Sequence, residues 1–107
     1  MSAISAFIGN IEQQGGLKGT DIANLVDVSK ATVSRWINGK SKPHPDNELV
    51  ISDLNFVIKR LSDYYTPEEI RQWLYAMHPQ LDGQRAMDLI NQNRTEEVLR
   101  VINRLDA

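Results

Sequence analysis

Apolar residues recur along this chain at intervals of three and four, the spacing of one helical face, and no segment alternates convincingly over strand length. Ile4, Phe7, Ile8 and Ile11 form the first stripe, and Gly15-Gly16 ends it. A short helix over about residues 18–25 turns Ile22, Ala23 and Leu25 or Val26 inward. Asp27 stands in a tight turn, whose unusual backbone angles a short polar side chain tolerates. Ser29 reads as an N-cap, its hydroxyl placed to accept from the free amides of the next turn. Val33 with Trp36 or Ile37 gives that helix its buried face, and Gly39 ends it. The stretch KSKPHPDN, 40–47, reads as a junction, because its prolines bar continuation of the helix.

Beyond the junction, Val50, Leu54, Val57, Ile58 and Leu61 mark a helix of about 17 residues starting near Asp46 or Asn47. Thr66-Pro67-Glu68-Glu69 holds a cap, a proline suited to the first helical position and a capping-box glutamate. Ile70, Trp73, Leu74 and Met77 form the apolar face of the helix so begun. His78-Pro79-Gln80 breaks it, and LDGQR forms a loop. A short helix follows at about 85–91, and Thr95 caps a last one bearing Val98, Leu99, Ile102 and Leu105. The pattern predicts an all-α fold of about seven helices. It divides into a helix-turn-helix unit over 1–45 and a helical region over 46–107.

A chain of 107 residues suits one domain, or two small subdomains sharing a core. Cysteine is absent, which excludes disulfides and thiolate metal sites and fits a reducing compartment. MSAISAFIGNIEQQGG has no basic n-region and no continuous apolar run, so no signal peptide is expected. No stretch approaches the roughly 18 apolar residues of a spanning helix. A soluble, cytoplasmic protein without membrane contact is the expectation.

Net charge is −2, but its distribution is uneven. Residues 17–42 carry five basic and two acidic side chains, while residues 43–107 carry seven basic and eleven acidic ones. A local basic patch attracts phosphate whatever the sign of the whole chain. His44 and His78 each adjoin a proline, away from any ligand set of known spacing, so no metal site is expected. Ser, His and Asp fall in no nucleophilic arrangement, and Gly15-Gly16 and Gly19 punctuate helices rather than cradle a phosphate. No cofactor and no enzymatic activity are expected.

LKGTDIANLVDVSKATVSRWINGK, residues 17–40, has the layout of a helix-turn-helix, with Ala23 where two helices must approach closely. Burying Val33 and Trp36 or Ile37 leaves Lys30, Ala31, Ser34 and Arg35 outward, with Thr32 beside them. Taken alone, SKATVSRWINGK reads better as an ordinary solvated face; the preceding helix, the turn and the charge segregation reverse that and favour a groove reader. Arg35 can donate twice to guanine O6 and N7, Ser34 and Thr32 can bond base edges or phosphate, and Ala31 can pack on a thymine methyl. Lys30 can reach a guanine or a phosphate, Ser29 heads a helix terminus that binds phosphate, and Lys40 lies where a backbone contact fixes register.

The run LKGTDIANLVDVSKATVSRWINGKSKP resembles the Xre/Cro-type helix-turn-helix, with Lys18 where a capping Thr or Ser is usual and Asp27 where Gly is common. Farther on, Trp73-Leu74, His78-Pro79, Leu81-Asp82-Gly83, Asp88-Leu89-Ile90, Glu96-Glu97 and Val98 to Leu105 follow the order of a second pattern. It resembles the toxin-binding domain of the Xre/MbcA/ParS antitoxin family, with Asn93 at a position often Gly. The resemblance implies a type II antitoxin that binds operator DNA, represses its operon and neutralises a toxin, usually an NAD-consuming RES-domain protein. It implies toxin contacts at Trp73, His78, Gln80, Leu81, Gln84, Arg85, Met87, Asp88, Arg104 and Leu105. By spacing alone Trp73 suits a core better than an anchor, and Met77 and Met87 suit packing. A homodimer is expected, because such domains read paired half-sites. The alternative is a stand-alone Xre-like regulator whose C-terminal helices only dimerise.

Overall fold

The computed structural model describes residues 3–106. Seven α-helices occur among them: α1 Ala3–Gly15, α2 Gly19–Leu25, α3 Lys30–Ile37, α4 Pro45–Leu61, α5 Pro67–Tyr75, α6 Ala86–Asn91 and α7 Thr95–Asn103. Between α5 and α6 the chain forms a minimal antiparallel hairpin, β1 Met77–His78 against β2 Gln84–Arg85. Short 3-10 turns cover Pro79–Leu81 and Arg104–Asp106.

The longest helix, α4, carries the centre of the core. Ile51, Leu54, Val57, Ile58 and Leu61 are wholly buried along it, each contributing about 1.5–3 kcal/mol by leaving water. α1 lies along one side, with Asn10 Nδ2 donating to the buried Asn55 Oδ1 at 2.6 Å. α7 lies along another, tied by Thr95 Oγ1 donating to Asp53 Oδ2 at 2.9 Å and Arg60 Nη2 donating to Asn103 Oδ1 at 2.7 Å. A single buried cluster runs from Ile4 through Leu17, Ile22, Val33 and Trp36 to Leu89 and Ile102. The helix-turn-helix therefore shares its core with the C-terminal helices.

Most predicted boundaries hold. Thr66 Oγ1 accepts from Glu69 N, and Thr66 N donates to Glu69 Oε1, closing the capping box of α5. α4 starts one residue earlier than expected, because Pro45 takes the first helical position and His44 Nδ1 accepts from Asp46 N. Trp36 is the buried member of its pair, while Ile37 is exposed.

Four expectations fail. Met77 is 75% exposed rather than buried on α5. The helix stops at Tyr75, since a residue before proline avoids helical angles and His78 precedes Pro79 in an extended conformation. Asp82 and Gly83, at φ 57° and 78°, then reverse the chain into the hairpin that the absence of alternation argued against. Thr95 is no cap either: it is the first residue of α7, and its hydroxyl goes to Asp53. Leu105 sits past the end of α7 and is exposed, while Val101 takes the core position.

Gly16 is the glycine in this packing that lies directly against backbone of another element. Its φ is +63°, and an added Cβ would stand 2.6 Å from the Pro67 carbonyl oxygen, where α5 begins. Gly39 has a similar φ of +73° but open space around it. Gly16→Ala should destabilise the fold by about 2–3 kcal/mol and Gly39→Ala by about 1 kcal/mol. Urea unfolding midpoints of the two variants check the difference; equal losses would show that the contact with Pro67 is relieved without cost.

Candidate functional site

α3 presents the expected residues on one surface. Val33 and Trp36 are 1% and 2% exposed, which turns Lys30, Ala31, Ser34 and Arg35 to solvent, with Thr32 half-buried beside them. Ser29 caps the helix, its Oγ accepting from Thr32 N at 3.1 Å and sharing a hydrogen bond with Thr32 Oγ1 at 2.9 Å. Arg35 Nη2 donates to the same Thr32 oxygen at 3.2 Å. Ser29, Thr32 and Arg35 thus form a polar ladder that gives the guanidinium a defined starting orientation. At the other end, Lys40 N donates to Arg35 O and Gly39 N to Trp36 O, closing a Schellman motif that fixes where Lys40 leaves the helix. Ser5 Oγ donates to Ile37 O at 2.8 Å, holding that end against α1.

The turn into α3 is built in the same way. Asp27 has φ 56°, and Val28 N donates to Ala23 O at 2.9 Å. Aspartate pays for the left-handed angle that glycine accepts freely. At the front of α2, Lys18 N donates to Asp21 Oδ2 at 2.7 Å, the half of a capping box that does not depend on a Thr or Ser at the cap position.

Asp21 does more than cap. It is 8% exposed and also accepts from Arg71 Nη1 at 2.7 Å, Arg71 Nη2 at 3.3 Å and the Tyr75 hydroxyl at 2.6 Å. Burial alone would raise the carboxyl's pKa, but the hydrogen bonds from Arg71, Tyr75 and Lys18 N outweigh it and hold Asp21 below the ordinary range. Burial, then the bond to Asp21, pushes the Tyr75 phenol up to about 12. Sequence inspection passed over this cluster. Its only trace is an aspartate beside Ile22 on the inward side of a short helix.

Tyr75 also lies under two cations, Arg71 at 5.2 Å and Arg85 at 6.0 Å from its ring centre. Arg85 in turn makes a paired hydrogen bond to Asp88, at 3.0 and 3.1 Å. Asn91 Nδ2 donates to Leu25 O at 2.6 Å, joining α6 to the end of α2. Tyr75, Arg85, Asp88, Asn91 and Leu25 border a cleft of about 350 Å³ between the helix-turn-helix and α6.

The residues implied for toxin contact divide into three groups. Trp73 and His78 stack with ring centres 4.4 Å apart, His78 Nε2 donating to Trp73 O, and Gln80, Gln84, Arg85 and Asp88 continue from them along the hairpin and into α6. Leu81 and Met87 are each 4% exposed, so they support this surface from beneath. Arg104 and Leu105 follow α7 at its far end. Arg104 lies ten residues beyond Arg94, about 15 Å farther along the axis of α7. The hairpin register sets His78 opposite Gln84 and Met77 opposite Arg85, so His78 and Gln84 turn to one side with Trp73, and Arg85 turns to the other with Asp88.

Comparison with known proteins gives the following. A helix-turn-helix family model matches residues 12–49. The chain is 36% identical over 83 residues to the probable mycobacterial cidal antitoxin Rv3188 of Mycobacterium tuberculosis, spanning 78% of this chain and 70% of that protein. It is 20% identical over 103 residues to the mycobacterial cidal antitoxin MbcA of Mycobacterium bovis, spanning 96% and 91% of the two chains. Among solved structures, the crystal structure of the Mycobacterium tuberculosis MbcT-MbcA toxin-antitoxin complex contains a chain with the same fold, at a TM-score of 0.83 and 23% identity. The match covers 96% of this chain and 93% of that one.

The Asp21 cluster sets an acid limit on stability. A carboxyl whose pKa is lowered by folding stabilises the protein above its ordinary value of 3.8 and ceases to do so as pH falls through the folded value. Asp21→Asn should cost about 1–3 kcal/mol at pH 7, and its stability should fall less steeply below about pH 4 than the parent's. Urea midpoints measured from neutral to acidic pH test this; parallel acid limbs would assign the effect to other carboxylates.

Proposed function

Since the chain belongs to the family of mycobacterial cidal antitoxins, we propose that it is the antitoxin of a type II toxin–antitoxin pair and neutralises its toxin by direct binding. The observation that carries this reading is the extent of the similarity to Rv3188, which is too long to fit in either half of the chain. The partner is a RES-domain toxin that consumes NAD. The antitoxin binds at or beside the toxin's active-site cleft through Trp73, His78, Gln80, Gln84, Arg85 and Asp88 on and around the hairpin, backed by the buried Leu81 and Met87, and through Arg104 and Leu105. The protein acts in the cytoplasm without a cofactor and without catalysing a reaction.

The second activity is repression of its own operon. α3 enters the major groove with Arg35 donating to a guanine, Ser34, Thr32 and Ala31 along the adjoining base edges, and Lys30 reaching a guanine or a phosphate. Ser29 and Lys40 bracket the helix on the phosphate backbone. The ladder from Ser29 through Thr32 supports the role of Arg35, because a side chain already held on the surface loses less freedom on binding. Two copies read two half-sites about one helical turn apart.

Coexpression with the neighbouring reading frame decides the first activity. Growth rescue and copurification are expected; failure of both would reduce the protein to a stand-alone regulator. Gel-shift titration on the chain's own promoter decides the second. Arg35→Ala should weaken specific binding by about 1–3 kcal/mol and relax base preference at one position. Lys40→Ala should weaken all sequences alike and lower the salt dependence. Unchanged affinity in Arg35→Ala would remove that residue from base reading.

A further inference from the structure

Leu49 and Phe56 are 53% and 49% exposed, although both lie well inside α4. The other large exposed apolar residues among those described, Ile37, Tyr64, Met77 and Leu105, stand at the ends of elements or in the hairpin. α1 covers the opposite side of α4 and α7 covers one flank, so Leu49 and Phe56 mark a face of the central helix that the monomer leaves to water.

We propose that this face joins two copies of the chain, α4 packing antiparallel on α4 about a two-fold axis that passes between Ser52 and Asp53. At about 100° per residue, Leu49 and Phe56 share the middle of the face, Asp46 and Arg60 fall toward one flank, and Glu48 and Lys59 toward the other. Acidic residues occupy the first turn of α4 and basic residues the last. Leu49 and Phe56 are equally distant from the axis, so each meets the other across the dyad. The same operation brings Glu48 within about 3 Å along the axis of the level of Lys59 of the second copy, and Asp46 within about 1.5 Å of the level of Arg60. An isologous interface needs a patch that complements itself; this one does so in its apolar centre and along the Glu48–Lys59 flank, while on the other flank Arg60 already donates to Asn103 and Asp53, beside the dyad, already accepts from Thr95 within each copy. A parallel pairing would instead align like charges along both flanks. The intermediate exposure of Ser52 at the centre suits close approach of two helices.

This assigns a surface to the dimer in the function proposed above. It is read on the full chain without DNA or toxin, so its failure is distinguishable from failure of that function. Sedimentation equilibrium over a wide concentration range should show a monomer–dimer equilibrium. L49E/F56E should raise the dimer dissociation constant more than about thirtyfold, with an unchanged helical circular dichroism spectrum because both side chains are exposed. E48K and K59E should each raise it roughly five- to twentyfold, since each replaces two attractive contacts with two repulsive ones. The double variant E48K/K59E should return to within about threefold of the parent, because the reversed charges again meet opposites. Those two positions lie about 16 Å apart along one helix, so the rescue cannot arise inside a single chain. A monomeric parent, a dimer that persists in L49E/F56E, or absence of rescue would overturn the proposal. So would an L49E/F56E chain that stays dimeric but no longer copurifies with the toxin, which would give the face to the toxin.

Discussion

A carboxylate that is 8% exposed cannot keep its charge without partners, and Asp21 keeps it through the Lys18 amide, the Arg71 guanidinium and the Tyr75 hydroxyl. The rest of the structure hangs on this requirement. One partner is in the loop before α2 and two are on α5, so satisfying a single side chain both caps the first helix of the helix-turn-helix and fastens it to the C-terminal half. Arg71 is itself 41% exposed, so the pair is only partly desolvated. Its value lies in position more than in Coulomb energy.

From that joint the geometry passes outward in two directions. Toward the N-terminal side, α2 fixed on α5 carries the Asp27 turn and thereby α3, whose own ladder and Schellman motif set Arg35 and Lys40. Toward the C-terminal side, Tyr75 lies under both Arg71 and Arg85, and Arg85 grips Asp88 at the start of α6. Asn91 closes the circuit by bonding to the Leu25 carbonyl. The exposed face of α3 and the segment from the hairpin into α6 are thus braced by one polar seam.

Helix ends follow one rule three times. Asp27, Asn93 and Gly39 all occupy left-handed positions after helices, and in each case the amide of the following residue returns to the helix, Val28 to Ala23, Arg94 to Leu89 and Lys40 to Arg35. The two positions where this chain departs from the usual glycine keep the backbone that glycine would have supplied. Short polar side chains visit that region at modest cost, which is why the departures leave the fold intact.

The helices, their caps and the exposed face of α3 were legible in the sequence, because each rests on local rules: apolar spacing, capping chemistry and the angles of glycine and proline. Thr66 to Glu69, Ser29 and Gly39 all act at short range, and all act as read. What the sequence could not disclose depends on residues far apart in the chain. Asp21 meets Arg71 across fifty positions and Thr95 meets Asp53 across forty-two. The long-range bond gives Thr95 a different hydroxyl partner from the cap its position suggested. Met77 and Leu105 carried the right spacing and lost the core, because a proline-bounded hairpin and the end of α7 intervened. Burial of Leu81 and Met87 likewise separates the support of the hairpin surface from the surface itself. Spacing determines which residues can share a face, and only tertiary packing decides which faces are covered.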